Sequence, residues 1–219
     1  MPSFLKPLQL SLLPIVILIV GSISFAQDAI SYRLLKHPGY VVFEDGVTPR
    51  ARVRANYYST DTGDTWEKSP GQISIEYGLP AWKAEYDTLF MKMPNGKRWR
   101  LGSNYWTNLS STLPFEVAGK KIKAGYYYLV LEKTSKELWS LIVLRPEDVT
   151  MRQMDPYHVN LRDSGPGVAS IPLEYQREEQ KEDKLQITLK LKDENPKQMA
   201  IHIRFGSHHF STPLLAVHF

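Results

Sequence analysis

"LQITLKLK" (residues 185–192) and "MAIHIRF" (residues 199–205) decide the fold class. In the first, Leu185, Ile187, Leu189 and Leu191 alternate with Gln186, Thr188 and Lys190. In the second, Met199, Ile201, Ile203 and Phe205 occupy every other place. Side chains of a strand point alternately to its two faces, so this period of two predicts strands with one dry and one wet face. "QISIEY" repeats the pattern with Ile73, Ile75 and Tyr77. "YYYLVLEK" (residues 126–133) and "LWSLIVL" (residues 138–144) flank "TSKE" as a hairpin, and "TLPFEV" and "KIKAGYYYL" flank "AGKK" as another. No amphipathic helix of ten or more residues is evident, and 15 prolines and 13 glycines punctuate the strands. Clean alternation belongs to antiparallel sheets, and strands recurring this often predict a single β-sandwich or open barrel. The charged run "REEQKEDK" (residues 177–184) breaks the rhythm and reads as a solvated loop.

The N-terminus carries a different signal. Lys6 precedes a 13-residue apolar run, "LQLSLLPIVILIV", and Ser24 and Ala26 stand three and one residues before a cut at Gln27. These are the parts of a secretory signal peptide, and the run is shorter than the roughly 20 residues a span needs. The expected organisation is a leader at 1–26, a lead-in at 27–49 and a β-sandwich domain at 50–219. The expected location is the periplasm or the outside, with no membrane span after cleavage. Cysteine is absent, so a hydrophobic core and not disulfides must hold the fold. The formal charge is +4, and it drops to +3 without the leader, whose only charged residue is Lys6. The basic residues are mixed with acids, and together with export this argues against nucleic acid as a partner.

"STDTGDTW" (residues 59–66) fits the Asp box found on sialidase-like propellers. A propeller needs at least four blades of roughly 40–50 residues, and the pattern occurs once. Asp61, Gly63 and Asp64 therefore read as a tight turn. Among the histidines, His202, His208 and His209, with His158 and His218, are the candidates for metal ligands. Adjacent residues of a strand point to opposite faces, so His208 and His209 cannot easily serve one ion, and no metal is expected. No Gly-x-Ser-x-Gly elbow, thiol or phosphate loop is present, and no cofactor is implied.

The densest candidate for a site is "KRWRLGSNYWTNL" (residues 97–109). Trp99, Arg100, Asn104, Tyr105 and Trp106, joined by Tyr77, would form a ligand-binding face for a carbohydrate or small anion. Rings would supply stacking area, and Arg100 and Asn104 orientation. The competing reading is a structural corner, with Arg100 paired, Asn104 in a turn and both tryptophans in the core. "SIEYGLP" (residues 74–80), "WRLGSNYWT" (residues 99–107), "AGKKIKAGYYYL" (residues 118–129) and "LWSLIV" (residues 138–143) follow in that order, and together resemble the bacterial family called domain of unknown function 2911. The resemblance implies an exported, mostly β domain and no reaction. Leu79 stands where that family has Arg, and Ser103 and Tyr105 where it has Ala and Glu. The sequence thus predicts a non-catalytic binding or envelope-support module. The alternative is a hydrolase acting on glycan or peptide, with carboxylates beside the Trp99–Trp106 stretch.

Overall fold

The computed structural model describes residues 32–37, 40–45, 49–57, 71–135, 137–152, 165 and 167–216. The leader, the Asp-box stretch at 59–66, His158 and His218 lie outside the described residues. The chain divides into two compact units, Met1–Val47 and Thr48–Phe219. In the first, β1 (Tyr32–His37) and β2 (Tyr40–Asp45) pair as an antiparallel hairpin, Tyr32 opposite Asp45.

The second unit is built from β3 (Arg50–Tyr57), β4 (Gly71–Gly78), α1 (Ala84–Lys92), β5 (Lys97–Trp99), β6 (Thr107–Ser111), β7 (Phe115–Val117), β8 (Lys120–Ile122), β9 (Gly125–Lys133), β10 (Trp139–Leu144), α2 (Pro146–Met151), β11 (Ala169–Lys192) and β12 (Asn195–Ala216). Its strands form one antiparallel sheet in the order β3-β4-β6-β9-β10-β11-β12-β7-β8, with β5 added to β9. The order runs open-ended, so the sheet does not close into a barrel. The hairpin around "TSKE" is present; the one around "AGKK" is present as far as Ile122, while the "YYYL" part of its expected return strand lies in β9, paired with β6 and β10. β9 and β10 pair from Lys133↔Trp139 inward, and β7 and β8 turn at Ala118 and Gly119, both with positive φ as a two-residue hairpin loop requires.

β11 and β12 are 24 and 22 residues long, far above the usual strand of about 5–6 residues. Each serves both layers of the sandwich. Residues 169–173 of β11 pair with β10, and residues 214–216 of β12 pair with β7. Further along, Gln186 to Leu191 pair with Met199 to Arg204 and lie over β4. The Tyr77 hydroxyl ties the layers there: it accepts from Ile187 N–H at 3.0 Å and reaches the Ile187 carbonyl at 3.4 Å. The alternating residues do what their spacing predicts. Ile73, Ile75, Ile187, Met199, Ile201, Ile203 and Phe205 are buried, while Leu191, beside the hairpin turn, is exposed.

Two features depart from the sequence reading. "REEQKEDK" is not a loop: it belongs to β11, where the register slips between Arg177 and Glu182 and again before Gln186. Bulged residues leave the side-chain alternation while the backbone stays in the sheet, which erases the period-two signal. The stretch "AEYDTLFMK" (residues 84–92) is α1, nine residues long and burying only Phe90, too short a helix for a 3.6-residue period to show. Its last carbonyls are satisfied by the buried Lys133, whose Nζ donates to Met91 O at 2.7 Å and Phe90 O at 3.4 Å. On the other face of the sheet α2 starts with Pro146 and the acids Glu147 and Asp148, and sets Val149 against Trp106, Val130, Ile142 and Leu144.

The bend that lets β12 change layers sits at Gly206, with φ +59 and opposite Glu182. A Cβ at this position would run into the indole of Trp82. Trp82 is itself pinned between layers, its backbone N–H donating to Asp183 O at 2.7 Å and its ring meeting Phe205 edge-on at 4.9 Å. Gly206→Ala combines a left-handed backbone with overpacking and should lower stability by about 3 kcal/mol. Urea unfolding followed by tryptophan fluorescence measures this; an unchanged midpoint would show that β12 does not need its bend there.

Candidate functional site

The six predicted site residues do not form one face. Tyr77 is buried between the layers, and Trp99 packs into the main core, stacked on Phe205 at 5.5 Å and edge-on to Phe90 at 5.3 Å. Trp106 is buried on the opposite side of the sheet, in the cluster under α2. Arg100 turns back on its own loop: Nε donates to Gly102 O at 3.3 Å and Nη1 to Asn104 O at 3.2 Å. Leu101 and Asn104 hold φ of 58 and 66, and Thr107 Oγ1 donates to Leu101 O. The loop also presses on the end of β4, where a Cβ on Gly78 would strike the Ser103 carbonyl. The stretch Trp99 to Thr107 is therefore a corner whose polar groups hold its own backbone. Tyr105 alone of the six is largely exposed, and Trp106 lies beneath its neighbours.

What these two join is the outward face of β3, β4, β6 and β9. The registers put Arg52, Glu76, Asn108 and Tyr128 in one row across the strands, and Arg54, Ser74, Ser110 and Tyr126 in the next. Tyr128 stacks on Trp106 with centroids 5.0 Å apart and planes 12° apart, and Tyr126 meets Tyr128 edge-on at 5.7 Å. Tyr105 and Tyr126 keep 45% and 47% of their surface open, so two rings remain available while two others fix them. Burial, together with the hydrogen bond shared with Tyr105, pushes the Tyr128 phenol up, so it stays neutral and can donate. Burial raises Tyr126 as well.

At the other end of the rows Glu76 accepts from two arginines. Arg50 Nε lies 2.8 Å from Oε1, and Arg52 bonds Oε2 through Nε and Nη2. The Arg52 hydrogen bond, with Arg50 beside it, holds the Glu76 carboxyl below its ordinary value despite partial burial. Arg50 continues under the face to donate to Trp106 O at 2.9 Å, linking the cationic and aromatic ends. Ser74 and Ser110 share a 2.9 Å hydrogen bond between them. Tyr126, Tyr128 and the arginines are legible only as strand residues in the sequence; nothing but the register shows that they share a face.

The histidines make a second polar assembly. His208 is sealed, stacked on Phe90 at 4.8 Å, with Nε2 3.1 Å from Asp87 Oδ1 and Nδ1 2.9 Å from the Tyr175 hydroxyl. Asp87 also takes Arg177 and the Ser207 hydroxyl, so all its partners come from the β11–β12 hairpin and fasten α1 to it. His209 points to the other face, as its neighbour relation predicts. Its Nδ1 lies 2.8 Å from Glu178 Oε1 and its Nε2 2.9 Å from His202 Nδ1. Among the described residues no three His, Asp or Glu side chains converge as metal ligands.

Burial pushes all three histidines below their ordinary 6.5; Asp87 opposes this at His208, and Glu178 opposes it at His202 and His209. The folded chain therefore prefers the neutral rings. Their contribution to stability is complete above about pH 6.5 and is lost as pH falls toward the depressed folded values, because the unfolded chain binds protons first. The urea midpoint should fall between pH 6.5 and 5 and be flat from 7 to 8. A midpoint constant down to pH 5 would show that these rings are not held neutral.

Compared with curated proteins and with solved structures, the chain has no match in either. One family model does match, over residues 61–214, and its description is protein of unknown function (DUF2911). The matched range holds β4 to β11 and β12 as far as Leu214, including the corner at Trp99–Thr107, the tyrosines of β9 and all three assembled histidines. The chain belongs to the DUF2911 family.

Proposed function

We propose that this chain is an exported, non-catalytic β-sandwich that binds glycan on the open face of β3, β4, β6 and β9. The observation that carries the reading is the pair of exposed rings, Tyr105 and Tyr126, set beside the Tyr128–Trp106 stack. A flat ring held by its neighbours offers apolar area to the C–H face of a sugar at little cost in side-chain entropy. Beside the rings stand the half-buried Ser110 and Asn108, a hydroxyl and an amide of the kind that hydrogen-bond sugar hydroxyls. An open sheet face suits a polymer, which can lie across it without entering a pocket. Export rests on the leader sequence, and the envelope is then where such a polymer is met.

Hydrolysis finds little support by comparison. The Asp87–His208–Tyr175 chain is in mutual reach, but the His208 side chain has no exposed surface and its bonds fasten a helix. A general base must reach its substrate.

The test uses the chain expressed with its leader and purified from the periplasmic fraction, with intact mass to read the cut before Gln27. Binding is measured by affinity electrophoresis in gels carrying soluble polysaccharides, and by co-sedimentation with cell-wall sacculi. The expected result is retardation or co-sedimentation that falls at least tenfold in Tyr126→Ala and in Tyr105→Ala, about 1.4 kcal/mol, with thermal melting unchanged. A wild-type chain held back by no polysaccharide defeats the reading, and recovery in the cytoplasm with an uncut leader defeats export.

A further inference from the structure

The charges of the open face do not balance. β3 presents Arg50, Arg52 and Arg54 outward, whereas among the described residues β4, β6 and β9 offer them one carboxylate, Glu76, before the tyrosines are reached. Glu76 is already shared, Oε1 with Arg50 and Oε2 with Arg52. Arg54 is exposed and has no ion-pair partner among the described residues. Among the described residues this part of the face is thus left with two positive charges in excess, and the Arg54 guanidinium is the unpaired one.

The row through Arg54 is ordered by chemistry. It begins with the open guanidinium, crosses the Ser74 and Ser110 hydroxyls, and ends on the exposed ring of Tyr126. Three strand spacings of about 4.8 Å separate its ends, roughly 14 Å in all. Resting on the glycan reading above, we propose that this row selects acidic glycans: one sugar ring lies on Tyr126, the chain crosses β6 and β4 over Ser110, whose hydroxyl is bonded to the buried Ser74, and a carboxylate of a later unit docks on Arg54. The guanidinium fork matches a carboxylate in two parallel hydrogen bonds, which a lysine could not offer.

Two different roles for the arginines account for less of the face. Charges on an edge strand discourage pairing with another chain, and β3 is an edge. That role is met by charge alone, and it requires neither the ordered row nor the exposed ring at its far end. Single-stranded nucleic acid also joins rings to cations, but it needs positive charge tracking the phosphates beside each stacked base. Here Arg54, the unpaired cation, is three strands from the Tyr126 ring, and Arg50, the cation that does reach the aromatic end, is held by Glu76 and Trp106 O.

The experiment compares polygalacturonate with the same polymer fully methyl-esterified, so that only the charge differs, by isothermal titration at low salt with the periplasmic protein. A single-stranded DNA oligonucleotide and a neutral dextran are the controls. The wild type should bind the acid form at least tenfold more tightly than the ester, and the preference should shrink as salt is raised. Arg54→Gln should abolish the preference by weakening the acid form, and Tyr126→Ala should weaken both forms together. Equal binding of acid and ester, unaffected by Arg54→Gln, would overturn the selectivity and leave glycan binding standing. Binding of neither polymer nor dextran would remove both. An oligonucleotide bound more tightly than the acid polymer would replace glycan by nucleic acid.

Discussion

Trp82 occupies the space where a side chain at residue 206 would have to go, and the rest of the sandwich depends on that contact. β12 pairs with β11 on both sides of Gly206 and with β7 only beyond it, so it has to bend as it passes from one layer to the other. Gly206 supplies a left-handed backbone and an empty place, and the indole fills it. Around the indole gather Tyr86, Phe90, Phe205 and His208, a ring cluster assembled from α1 and β12. Without disulfides, a chain of this kind fastens its layers by such interlocking, and dense aromatic packing contributes about 0.5–1.5 kcal/mol per pair beyond burial.

The polar contacts between elements are arranged on the same bend. Asp87 receives Arg177, Ser207 and His208, so the helix is held to both strands of the hairpin beside the kink. A buried neutral histidine between a carboxylate and a phenol satisfies all three groups, which an apolar residue at 208 would not. Each unpaired buried polar group costs about 1–3 kcal/mol, so the set is better understood as one unit than as separate bonds. The buried Lys133 belongs to the same logic at the far end of α1, its ammonium 5.7 Å over the Trp139 ring and bonded to the last-turn carbonyls.

Much of the architecture is legible in the sequence, and the reasons it fails in places are physical. Alternation marks β4, β9, residues 185–192 of β11 and residues 199–205 of β12, because each has one face in the core. It cannot mark residues 177–184 as strand, since a bulge breaks the side-chain period without breaking the backbone. It misses α1, whose nine residues bury a single side chain. The site is harder still. "WRLGSNYWT" looks like a cluster because it is dense in the chain, yet successive residues of a tight corner point apart, Trp99 to one side of the sheet and Trp106 to the other. Tyr126 is the reverse case: an ordinary strand residue that the β6–β9 register sets beside Ser110 and, through it, in line with Arg54. Sequence density reports local crowding, whereas a face on a sheet is built from residues far apart in the chain.

A division of labour between corner and open face accounts for where the most specific stretch of the family resemblance falls. Arg100, Gly102 and Asn104 serve the corner, and Gly78 gives that corner room against β4. Altering any of them disturbs backbone that many contacts share. Tyr126 and Arg54, by contrast, project from finished strands, and their substitution leaves every ladder bond in place. A scaffold of this kind can keep its corner and its bend fixed while the outward residues of four strands change freely. The departures at Ser103 and Tyr105 separate along the same line. Ser103 comes against β4 foremost through its backbone carbonyl, a group that alanine would present equally, while the ring at 105 extends the aromatic end of the face.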